Sequence, residues 1–108
     1  MSLAAESCVA CKGEDTRLTG KEAIDLLKEV ADWQMMELER KLFKDFKFKN
    51  FAEALQFVTR VAALAEQQNH HPDISFGWGY AEIILTTHAV DGLTRNDFIF
   101  AAKIDGLK

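Results

Sequence analysis

Between Asn50 and Ala65 the apolar residues fall on one helical face. Phe51, Ala54, Leu55, Val58, Val61, Ala62 and Ala65 recur at three- and four-residue steps, the spacing that stacks side chains along one side of an α-helix. Asn50 followed by Glu53 is an N-cap pattern, so the helix has a defined start. It also has a defined end. Pro72 is the only proline in the chain; it lacks the N–H needed to continue the ladder and pushes the preceding residue towards an extended backbone. The spacing therefore predicts a helix ending near Gln68 or Asn69. An element this long and one-sided needs a layer to pack against, and that requirement constrains everything around it.

The flanking segments supply such a layer. Residues 1–17 show no period and are expected to be a poorly ordered tail. Thr19-Gly-Lys-Glu22 is a capping box, and Ala23, Ile24, Leu27, Val30 and Ala31 continue it as a helix to about Ala31. Residues 34–48 read as two strands with a turn near Glu39-Arg40, with Leu42, Phe46 and Phe48 on one face and Phe43 on the other. Beyond Pro72, Asp73 to Trp78 and Tyr80 to Thr87 read as a second hairpin. Gly77 and Gly79 suit its tight turn, and Ala81, Ile83 and Leu85 share a face. Thr94-Arg-Asn-Asp97 caps a last helix, with Leu93 and Phe98 as a hydrophobic staple. The order is α-β-β-α-β-β-α. The expected fold is α+β: a four-stranded antiparallel sheet with three helices packed on one face, formed by a single domain from residue 18 to 108.

Charge and composition exclude some classes. The net charge of −4 argues against a nucleic-acid or anionic-membrane surface. No apolar run approaches the ~20 residues of a membrane span, and the N-terminus lacks the basic start and apolar centre of a signal peptide. A soluble, cytoplasmic protein is expected. With 108 residues the domain buries a limited share of its surface, which favours oligomers. Cys8 and Cys11 form a C-x-x-C without the second pair that a zinc site needs, so two thiols in a loose tail is the simplest reading.

The chemistry is concentrated at one place. All three histidines, His70, His71 and His88, lie at the junction after the long helix or at the end of the last strand. Histidine exchanges protons near neutral pH, so one ring can donate while another accepts. No Ser-His-Asp or Cys-His nucleophile, glycine-rich phosphate loop or dinucleotide fingerprint is present. Metal binding is the rival use: three imidazoles with Asp97 suit zinc or iron. Against it, neighbouring side chains in an extended segment point to opposite sides, which separates His70 from His71. For each residue a structural role stands beside the functional one. Asp97 is also a cap residue, Glu66 a solvated last-turn side chain, and Trp33 and Trp78 packing residues.

Glu66-x-x-x-His70-His71-Pro72-Asp73, a strand ending in Thr87-His88, and Gly92-Leu93-Thr94-x-x-Asp97 together resemble the pterin-4a-carbinolamine dehydratases. The resemblance extends upstream to Trp33, to Phe43-x-x-Phe46-x-Phe48 and to the helix from Phe51, and covers roughly residues 18–105. It implies dehydration of 4a-hydroxytetrahydropterin to the quinonoid dihydropterin in recycling of tetrahydrobiopterin. His70, His71 and His88 would be the site. Pro72, Asp97, Glu66 and Trp33 would bind or orient, with no metal and no cofactor, the pterin being the substrate. Homodimers or homotetramers are implied, with an aromatic amino acid hydroxylase as a partner in the same pathway. The alternative on the same scaffold is a non-enzymatic dimerisation, assembly or transcription-coactivator protein. Trp78 stands where the family usually has a tyrosine, a departure that bears on substrate fit or subunit contacts.

Overall fold

A computed structural model describes residues 3–6, 17–30, 32–37 and 40–107. Helix α1 spans Gly20–Leu27, strand β1 Gln34–Met36, β2 Lys41–Lys47, helix α2 Phe51–Gln68, β3 Asp73–Gly77, β4 Tyr80–Leu85, and α3 Arg95–Asp105. The strands form one antiparallel sheet in the order β1-β2-β4-β3, and the three helices cover one face of it. The expected class, element order and layering are those observed.

The register explains why one face is buried. Leu42 lies opposite Leu85 and Phe46 opposite Ala81, while Ile74 and Phe76 lie opposite Ile83 and Ala81. All point to the helical side because side chains alternate along a strand. There they meet Phe57, Val61 and Ala65 of α2 and Phe98, Ala101 and Ile104 of α3 in a single core. Phe46 and Phe57 are in ring contact at 4.6 Å. Lys44 shares this inner face, opposite Ile83. Its ammonium group reaches the Asp105 carboxylate at 2.8 Å, and the same carboxylate accepts the Trp33 indole N–H at 3.1 Å.

Helix starts match the sequence signals closely. Thr19 and Glu22 form the reciprocal capping box, and Asn50 accepts the Glu53 amide at 2.9 Å. Some ends differ. Helix α1 stops at Leu27, earlier than its apolar period suggests, because buried Val30 is carried into the core by a turn and Asp32 adopts a left-handed backbone. Ala31 and Glu39, at the expected helix end and hairpin turn, lie outside the described residues. Strand β4 ends at Leu85 rather than Thr87. Of the segment expected to be a loose tail, Leu3–Ala5 forms a 3-10 turn with Leu3 buried. Glu6 holds Arg95 of α3 through two charge-assisted bonds of 2.9 and 2.6 Å. Cys8 and Cys11 lie outside the described residues.

Candidate active site

The C-terminus of α2 delivers the first two histidines. Asn69 takes a left-handed conformation, φ 53°, as the cap, a geometry asparagine tolerates better than most residues. The His70 amide then returns to the Ala65 carbonyl at 3.2 Å. This bend aims the His70 ring across the core edge towards α3, where its Nε2 lies 2.7 Å from Asp97 Oδ1 and its ring packs on Phe100 with centroids 5.7 Å apart. His71, the next residue, points the other way: its Nε2 pairs with the Glu66 carboxylate one turn back on α2. His70 is 10% exposed and Asp97 fully buried, whereas His71 and Glu66 are 57% and 78% exposed. The two imidazole–carboxylate pairs thus sit in opposite environments. The buried one is shielded from water, and the exposed one contributes little to stability. Pro72 is half-buried between this junction and β3.

The second arm of the site comes from the segment after β4. Thr87 is bridged to Gly92 by backbone bonds, Thr87 N–H to Gly92 O at 2.8 Å and the return bond at 3.4 Å. The residues between them close as a short 3-10 turn, His88–Val90, with Asp91 left-handed. This clamp turns the Thr87 hydroxyl inward, where it donates to Asp97 Oδ2 at 2.7 Å. His88 comes next in the chain and is exposed; no hydrogen bond or ion pair to its ring is found among the described residues. The start of α3 completes the arrangement. Thr94 and Asp97 form a reciprocal capping box, with the Thr94 amide donating to Asp97 Oδ2 at 3.0 Å.

His70, Asp97, Thr87 and Thr94 therefore form one connected buried network, with His88 one residue from it. His71 and Glu66 flank it at the surface. Among the described residues, the hydrogen-bond, ring and cation–π partners of Trp33 are not histidines. It sits against Phe46, Lys44 and Asp105, and Asp105 lies about 12 Å along α3 from Asp97 by helix rise. Among the described residues, no group of three or more His, Cys, Asp or Glu side chains could hold a metal ion. Sequence reasoning did not single out Thr87, Thr94 or Phe100 as members of the site. The signal for Thr87 was available: it continues the inward alternation of Ala81, Ile83 and Leu85, and a hydroxyl at a buried position requires a partner.

An imidazole held by a buried carboxylate, with a second imidazole one residue from the threonine that supports that carboxylate, is an arrangement that can serve histidine acid–base chemistry. Comparisons with known proteins give the class a family. A family model described as pterin 4 alpha carbinolamine dehydratase matches residues 16–107, and the chain belongs to that family. A Rubrobacter xylanophilus protein, provisionally named a pterin-4-alpha-carbinolamine dehydratase, is 53% identical over 97% of each chain. A Halorhodospira halophila protein with the same provisional name is 45% identical over 99% of this chain and 98% of its own. Among solved structures, a transcriptional coactivator/pterin dehydratase from Brucella melitensis superposes with TM-score 0.81 at 30% identity, over 85% of this chain and 98% of that one. A pterin dehydratase-like protein described as a RuBisCO assembly factor of the alpha-carboxysome superposes with TM-score 0.62 at 34% identity, over 70% and 88%.

Proposed function

We propose that this chain is a 4a-hydroxytetrahydrobiopterin dehydratase, a carbon–oxygen lyase that releases water and quinonoid dihydropterin in tetrahydrobiopterin recycling. The observation that carries the reading is the buried His70–Asp97 pair at 2.7 Å with His88 beside its supporting threonine. The reaction breaks the C4a–O bond of the carbinolamine. A proton goes to the departing hydroxyl, and one leaves a ring nitrogen, whose electrons form the new double bond. Two proton carriers are all that this needs, with no metal, no cofactor and no covalent intermediate. His70 and His88 are the carriers. His71, oriented by Glu66, and Pro72 position the pterin, and Asp97 orients His70. Among the described residues no helix is long and apolar enough to cross a membrane. As part of the same proposal, the enzyme works in the cytoplasm, supplied by an aromatic amino acid hydroxylase. It acts as a homodimer or homotetramer, a reading supported by the exposed Phe51 and Leu55 on α2.

The second reading is a scaffold or assembly role without catalysis, favoured by the description of one structural neighbour as an assembly factor. The two separate on variants. With protein dialysed against chelator, His70→Ala and His88→Ala should each lower kcat by about 10²-fold or more while the fold is retained. Full turnover by both folded variants would refute acid–base catalysis at these histidines.

A further inference from the structure

The buried network has a direction. Asp97 Oδ2 receives the Thr94 backbone N–H at 3.0 Å and lies 2.7 Å from the Thr87 hydroxyl. The amide is an obligatory donor. The hydroxyl has one proton, and its shortest contact is the carboxylate oxygen, so that proton points there. Thr87 Oγ1 is then left as an acceptor, filled by the Thr94 hydroxyl at 2.9 Å. Two donors converge on Oδ2, so no acid proton can sit on that oxygen. Oδ1 faces His70 Nε2, and because an imidazole is a stronger base than a carboxylate the one proton between them belongs to the ring, so Oδ1 accepts as well.

Resting on the dehydratase reading above, we propose that Thr87, oriented by Thr94, is a positioning residue of the site. It fixes Asp97 as acceptor and His70 as the Nε2–H tautomer, so that Nδ1 is the ring atom that exchanges a proton with the pterin. Neither threonine touches the substrate; both act through Asp97. The ring nitrogen a histidine presents is set by the bond its other nitrogen makes, and here that bond is set by the two threonines behind Asp97.

The first test needs no substitution. ¹⁵N-resolved NMR of the His70 ring in the wild-type chain, with the ring neutral, should show Nε2 protonated and Nδ1 bare. The opposite tautomer would overturn the proposal and leave the dehydratase reading intact, whereas the expected tautomer in a chain without turnover would sink the dehydratase reading alone. The second test separates the hydroxyl from mere packing. Thr87→Val keeps the shape and should lower kcat about 10-fold or more with KM nearly unchanged and mix the two His70 tautomers. Thr87→Ser keeps the hydroxyl and should restore both. A Val variant with wild-type kcat and tautomer, or a Ser variant that rescues neither, would contradict the proposal.

Discussion

Asp97→Asn changes one atom in the most enclosed part of the site, and the donors around that atom decide how the variant must rearrange. Asp97 is fully buried and both its oxygens are occupied. In the variant, the amide oxygen must stay where Oδ2 is, because the Thr94 N–H and the Thr87 O–H point there. The NH₂ group therefore takes the place of Oδ1 and faces His70 Nε2. Two N–H groups cannot share a 2.7 Å contact, so the His70 ring must move its proton to Nδ1 and accept at Nε2. The ring keeps its place and, on the proposed dehydratase mechanism, loses the lone pair at Nδ1 that would meet the pterin. The expected loss in kcat is about 10²–10⁴-fold, the usual worth of positioned proton transfer, or roughly 3–5 kcal/mol of barrier. Stability should fall far less, by about 1 kcal/mol, because every buried polar atom still has a partner. Stopped-flow turnover of 4a-hydroxytetrahydropterin beside urea unfolding measures both. A variant with wild-type kcat, or one that loses activity only because it unfolds, would refute the reasoning.

Other consequences concern the frame. Asp105→Ala removes the carboxylate that accepts from both Trp33 and Lys44, at 3.1 and 2.8 Å, and should cost about 1–3 kcal/mol in urea unfolding. Gly79→Ala places a Cβ at φ 82°, 3.2 Å from the Phe48 carbonyl, and should destabilise by about 1–2 kcal/mol; unchanged stability would contradict the turn geometry. Glu6 is held below its ordinary value of 4.5 chiefly by its hydrogen bonds to Arg95. A depressed folded value means that its contribution is present above pH 4.5 and is lost as pH falls through the lowered value. The protection of the amides of residues 3–6 against hydrogen exchange, measured relative to the intrinsic rate at each pH, should therefore fall on acidification through that window, and Glu6→Gln should abolish the change.

Much of the fold was legible because its signals are local. Thr19-Glu22, Asn50-Glu53 and Thr94-Asp97 each mark a helix start through side chains three residues apart, and the alternation of Leu42, Phe46, Ala81, Ile83 and Leu85 marks the buried face. What was not legible depends on contacts distant in sequence. Nothing near Lys44 announces that a lysine on the inner face finds Asp105, and nothing near Leu3 announces that Glu6 meets Arg95. The site divides in the same way. The histidines stand out by residue type, but only the fold brings His70 to Asp97 across 27 positions. The threonines were hidden because a hydroxyl at a strand end has many uses; the Thr87–Gly92 clamp gives this one its direction.

The most direct measurement is the rate at which the wild-type chain, dialysed against chelator, dehydrates 4a-hydroxytetrahydropterin generated in place by a phenylalanine hydroxylase, compared with the spontaneous rate. The account predicts saturable acceleration that His70→Ala removes while remaining folded. A well-folded chain that leaves the spontaneous rate unchanged would contradict it, and would turn the same buried network into the support of a binding or assembly surface.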